Sequence, residues 1–90
     1  MSLRQTFQTR FKQARKAKKL TQEQLGIAIG LDEFVASTRI NRYEKGVHLP
    51  DLQTLENIAT VLDVSPAYFF ADDALANFIL RVQHEYDDKI

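Results

Sequence analysis

Apolar residues return every third or fourth position along most of this chain. Nowhere do they alternate with polar ones for long enough to make a convincing strand. Spacing of that kind marks helices with one buried face. The first stripe is Leu3, Phe7, Phe11 and Ala14, and Leu20 closes its segment. Thr21-Gln22-Glu23-Gln24 then reads as a capping box, a hydroxyl followed by Gln24 three residues on. The short helix it opens carries Leu25, Ala28 and Ile29 and stops at Gly30. Ala36, Ile40 and Tyr43 anchor the next helix, which ends at Lys45-Gly46. Pro50-Asp51 signals entry into a helix bearing Leu52, Leu55, Ile58, Ala59 and Leu62. Ser65-Pro66 caps and starts a short helix with Ala67, Phe69 and Phe70. Asp72 or Asp73 caps a last one with Leu75, Phe78, Ile79, Val82 and Tyr86 on one face. The expectation is six helices joined by short turns, an all-α bundle.

Ninety residues make one small domain. With 44% apolar and 27% charged residues the composition is that of a globular protein. There is no cysteine, so disulfides, thiol nucleophiles, zinc fingers and iron–sulfur sites are excluded. The two histidines, His48 and His84, stand in unrelated contexts, which argues against a histidine metal site. No metal or cofactor is expected. No apolar run approaches the roughly 18 to 20 residues that span a bilayer, and the N-terminus lacks the apolar core of an export signal. A cytoplasmic location without membrane contact is therefore expected.

Zero net charge conceals a strong asymmetry. Residues 1–45 hold ten Lys or Arg against four acids, a balance of +6. Residues 46–90 hold two against eight, a balance of −6. The first twenty residues contain seven bases and no acid. Such a distribution suits one face turned to a polyanion and another kept away from it, although a solvated lysine-rich helix gives the same count.

The order of the helices carries the functional signal. Arg10-Phe11-Lys12-Gln13-Ala14-Arg15 is followed by Leu20-Thr21-Gln22-Glu23-Gln24-Leu25 and Gly30. Then come Ile40-Asn41-Arg42-Tyr43-Glu44-Lys45-Gly46, Pro50, Leu55-Glu56-Asn57-Ile58-Ala59 and Leu62-Asp63-Val64. This ordered set resembles the phage-repressor and Cro-like helix-turn-helix family, often called the XRE family, from about Phe7 to Phe70. The resemblance implies a compact five-helix, lambda-repressor-like DNA-binding domain over 1–71. A sixth helix over 72–90 would pack on that core, dimerise, or both. It also implies a sequence-specific transcriptional regulator, a repressor that occupies a two-fold symmetric operator as a homodimer and blocks polymerase.

In that family the recognition helix lies in the major groove and offers its N-terminal side chains to base edges. Alignment on Ile40 carries the base contacts to Ser37, Thr38 and Arg42, with Arg39 and Asn41 flanking. Arginine grips guanine bidentately, asparagine pairs with adenine, and threonine offers a hydroxyl and a methyl. Phosphate contacts are expected at Gln22, where a helix N-terminus favours an anion, at Lys45 and His48 after the recognition helix, and at Arg10 and Lys19. The resemblance further implies a structural ion pair between Arg15 and Glu44. Gly26 stands where close helix crossing wants a small residue, and Gly30 where the turn wants positive φ.

One stretch departs from the family pattern. Gly30 and Ile40 are ten residues apart, where about six is usual in the family. The four extra residues either add a turn to the recognition helix, capped by Asp32, or lengthen the loop so that the helix starts near Val35 or Ala36. An all-helical Phe34 would sit about 120° off the core face. An aromatic ring left in solvent is wasteful unless it meets a thymine methyl. The expectation is therefore the longer loop, with Phe34 or Leu31 folded inward.

The last helix offers Leu75, Phe78, Ile79, Val82 and Tyr86 as a candidate dimer interface, or as a face packed on the domain's own core. Glu85, Asp87 and Asp88 would then point away from DNA. No Gly-rich phosphate loop and no nucleophile–base order stands out, so catalysis and a small-molecule substrate are not expected. The remaining rival is an antitoxin-like adaptor whose last helix holds a partner protein.

Overall fold

The computed structural model describes residues 2–89, and the side chains of all of these except 84 and 86–89. Among them lie five α-helices: α1 (Leu3–Ala17), α2 (Gln22–Ala28), α3 (Glu33–Glu44), α4 (Leu52–Leu62) and α5 (Asp73–Lys89). The short fifth helix is present as a 3-10 helix, Pro66–Phe70, capped by Ser65. Side-chain caps set most of the boundaries. Ser2 and Gln5 form a capping box at α1, and Thr21 and Gln24 form the one expected at α2. Asp51 accepts from the Thr54 N–H at 2.7 Å, and Asp72 from the Leu75 N–H at 2.9 Å.

The core is an aromatic cluster wrapped in aliphatics. Phe7, Phe11 and Phe69 are fully buried, with ring centroids 5.6 to 6.3 Å apart, and Tyr43 meets Phe11 edge-on at 6.2 Å. Leu25, Ile40, Ile58 and Leu62 close around them. Each belongs to an apolar stripe legible in the sequence.

α2 and α3 pack closely because Gly26 lacks a side chain. A Cβ placed there would lie 2.6 Å from the Cβ of Ala36 and 2.8 Å from its Cα. Gly30 turns the chain between the two helices at a φ of 96°, a conformation costly to any residue with a Cβ. The four residues between α2 and α3 thus make a tight turn, not a long loop.

The expectation for the extra residues is overturned. α3 begins at Glu33 with Asp32 as its cap, so the added length is helix, about 6 Å of it. Helical phase explains the outcome. Four residues advance the face by about 400°, one turn and a remainder of about 40°. Ala36, six residues after Gly30, and Ile40, ten after it, are therefore both buried on one stripe. Phe34 is not folded inward and remains 86% exposed; Leu31 does pack against the core.

Candidate nucleic-acid interface

α3 is fixed on its inner side and open on its outer side. Ala36, Ile40 and Tyr43 are buried, and the last turn is clamped to α1. Arg15 donates from Nε to Glu44 Oε2 at 2.7 Å and from Nη2 to Oε1 at 3.2 Å. A third bond runs from Nη1 to the Leu20 carbonyl at 2.8 Å. The side chains are 12% and 5% exposed, so this two-point pair is nearly dry. Its geometry leaves Glu44 no freedom to meet solvent ligands.

The outer side holds the residues named from the sequence. Ser37, Thr38, Arg39 and Arg42 are exposed, and Asn41 is half-buried. At about 100° per residue, Phe34, Thr38 and Asn41 lie within about 60° of one another, opposite the buried stripe. Ser37 and Arg42 flank them on either side. Arg39 stands further round the axis, toward α4. There it lines a shallow depression of about 370 Å³ with Arg42, Tyr43, His48, Leu49, Asp51 and Thr54. Three nitrogen-bearing side chains thus gather at the junction of α3 and α4. Asp51 is the exception in sign. Hydrogen bonds from the Thr54 backbone and side chain hold its carboxyl below the usual range, so it stays ionised as the α4 cap.

The proposed phosphate ligands separate into two groups. Lys45 is exposed at the C-cap of α3, and His48 is exposed in the loop that follows. Gln22, half-buried, opens α2, and exposed Lys19 occupies the preceding turn at a φ of 59°. Arg10 does not join them. It is 6% exposed, and its guanidinium donates to the Ala71 carbonyl at 3.0 Å, Gln13 at 2.9 Å and Asp73 at 2.6 Å. Its Nε, Nη1 and Nη2 are all engaged within the chain and the side chain is buried, so Arg10 does not present itself to a phosphate as expected. Its place is structural, tying α1 to the start of α5. Asp73 and Ala71 are 63 and 61 residues away in sequence, which is why local reading of helix 1 missed them.

The last helix divides its apolar stripe. Ala76 is buried, Ile79 and Leu80 are half-buried against the core, and Leu75, Phe78 and Val82 are exposed. Tyr86 and His84 lie outside the described side chains. Phe78, Ile79, Val82 and Gln83 form one wall of a groove of about 730 Å³ whose other wall is Ala59, Val64 and Pro66. Among the described residues no helix is long and apolar enough to cross a membrane, and no cluster of three or more His, Asp or Glu gathers to hold a metal.

Comparison with known proteins agrees with this geometry. Residues 11–69 match the helix-turn-helix family model HTH_3. The chain is 38% identical over 63 residues to the HTH-type transcriptional regulator y4wC of Sinorhizobium fredii, covering 70% of this chain and 41% of that protein. It is 35% identical over 68 residues to the HTH-type transcriptional regulator YqaE of Bacillus subtilis, covering 76% and 55%. The chain therefore spans about half the length of these relatives. The crystal structure of the transcriptional regulator BswR superposes with a TM-score of 0.84 at 42% identity, covering 91% of this chain and 85% of that one. An all-helical fold, the tight turn between α2 and α3, and these matches together place the chain in the XRE-type helix-turn-helix family of DNA-binding transcriptional regulators.

Proposed function

We propose that this chain is a sequence-specific repressor that binds a two-fold symmetric operator as a homodimer in the cytoplasm and blocks polymerase by occupying the site. The observation that carries the reading is the outer side of α3. It is polar and basic, exposed, and mounted on a helix anchored along its whole inner side. Thr38, Asn41, Ser37 and Arg42 read base edges in the major groove, and Arg39 does so from the flank. Gln22, Lys19, Lys45 and His48 hold phosphates on both sides of the groove and set the register. Arg15 and Glu44 keep α3 in place. No cofactor or small-molecule substrate enters this mechanism.

Residues 1–71 form the DNA-binding unit, and 72–90 join two copies. Leu75, Phe78, Ile79 and Val82, with Tyr86, form the contact between copies, setting the recognition helices about one DNA turn, roughly 34 Å, apart. A second reading is favoured by the open groove beside Phe78 and Val82: the same face holds a different protein, as an antitoxin does.

Selection from random duplex pools at two salt concentrations, with sedimentation of the free protein, tests both. The repressor reading expects an enriched inverted repeat with half-sites about one turn apart, a dimeric mass, and affinity falling steeply with salt. A monomer that enriches no motif would overturn it and favour the partner-holding reading.

A further inference from the structure

We propose that Phe34 is a specificity residue of the recognition helix, its ring packing on the 5-methyl group of a thymine in each half-site. The inference rests on the DNA-reading role proposed for α3. Phe34 is 86% exposed, an aromatic ring in full solvent at the second position of α3. It shares the outermost stripe with Thr38 and Asn41, so a helix laid in the major groove with that stripe inward carries the ring to the base edges. The ring's backbone is fixed. The Asp32 carboxylate accepts from the Phe34 N–H at 2.9 Å, and the Asp32 carbonyl accepts from Val35 and Ala36 at 3.0 Å. The same bond turns the Asp32 charge onto the helix N-terminus, where the helix dipole offsets it. Thymine's methyl is the apolar group that a base edge presents in that groove.

The surroundings oppose a protein occupant. Thr38 follows Phe34 on the stripe, with Arg42 beside it and Lys45 beyond. Val35, the next exposed apolar residue of α3, lies about 100° round the axis, so no apolar seam continues from the ring along α3. The core of a protein interface is depleted in such charges, whereas a phosphate-lined groove attracts them.

The test uses the duplex that the wild-type protein selects, with each thymine replaced in turn by deoxyuridine, which lacks only the methyl. Wild-type affinity is expected to fall about fourfold at one symmetry-related pair of positions, the factor for losing one buried methyl. Phe34→Ala, a change at an exposed helical site, should bind the thymine duplex correspondingly less well and lose nothing further with deoxyuridine. An operator bound equally well with every thymine replaced would overturn the proposal and leave the α3 reading standing. So would a Phe34→Ala variant still sensitive to the methyl. A variant unchanged on DNA but altered in solution mass would assign the ring to contact between copies, and also overturn it. Failure of the wild-type protein to select any duplex would remove the α3 reading and this inference together.

Discussion

α3 and α5 are both amphipathic, yet their open faces are opposites. α3 buries Ala36, Ile40 and Tyr43 and shows solvent serine, threonine and arginine, with Glu33, Phe34 and Val35 exposed in its first turn. α5 buries Ala76, half-buries Ile79 and Leu80, and shows solvent Leu75, Phe78 and Val82. Their anchorage differs as well. α3 is held by its close approach to Gly26 at Ala36, by the buried Ile40 and Tyr43, and at its end by the nearly dry Arg15–Glu44 pair. α5 is held at its start through Arg10, whose partner Asp73 is 94% exposed, and farther along by Gln83, which donates to the Asp63 carbonyl at 2.7 Å. A rigid polar face suits a ligand that is itself rigid and charged. An open apolar face suits an occupant that supplies the missing packing. In the proposed reading one surface meets a polyanion and the other a protein, and the charge asymmetry of the chain follows that division.

The contrast in anchorage is open to direct challenge. Its strongest consequence is at Glu44. Glu44→Gln leaves Arg15 charged and nearly dry without its counter-ion, and should cost about 3–5 kcal/mol in chemical denaturation. A loss below about 1 kcal/mol would mean the pair behaves as an exposed one. Next is Gly26→Ala. The added methyl gains about 1 kcal/mol of helix propensity but must displace Ala36 backbone atoms, an overpacking cost of about 1–3 kcal/mol. A net loss of about 1 kcal/mol is expected in chemical denaturation. Stabilisation by Gly26→Ala would show that α2 and α3 are free to separate.

On α5 the expected effects on folding are smaller. Phe78→Ala with Val82→Ala should change stability by less than about 0.5 kcal/mol per site in dilute monomer, and should lower the mass of any dimer. A large stability loss in the monomer would mean this face already packs inward. The smallest effect concerns Tyr68, between the two regions. Burial raises its phenol above the ordinary value of 10.0, against the opposing charge of Arg10. The folded state therefore favours the protonated phenol. Its contribution is complete below about pH 10 and is lost as pH rises through the folded-state value. Titration of the wild type against Tyr68→Phe should show the excess alkaline loss in the wild type alone.

How far the sequence was legible depended on the range of each contact. The stripes of α1 to α5 and the Thr21–Gln24 capping box are local, and periodicity revealed them. The fate of the four extra residues turned on two local costs of similar size. An exposed aromatic weighed for the loop, while the Asp32 cap and the shared helical face of Ala36 and Ile40 weighed for helix; the cap and phase prevailed. The burial of Arg10 is not legible locally, because Ala71 and Asp73 reach it from the far end of the chain. Arg15 with Glu44, 29 residues apart, followed from the family resemblance and not from spacing.

The central claim is that the outer side of α3 reads bases while the residues beyond it grip phosphates. Arg42→Ala and Lys45→Ala, compared on the selected duplex and a scrambled one across a salt series, separate these roles. Arg42→Ala should weaken the selected duplex by about 1–3 kcal/mol and leave the scrambled one nearly unchanged; Lys45→Ala should weaken both alike and lower the salt slope by about one. If Arg42→Ala instead weakened both duplexes equally, the arginine would be a phosphate ligand and α3 would not be the reading surface.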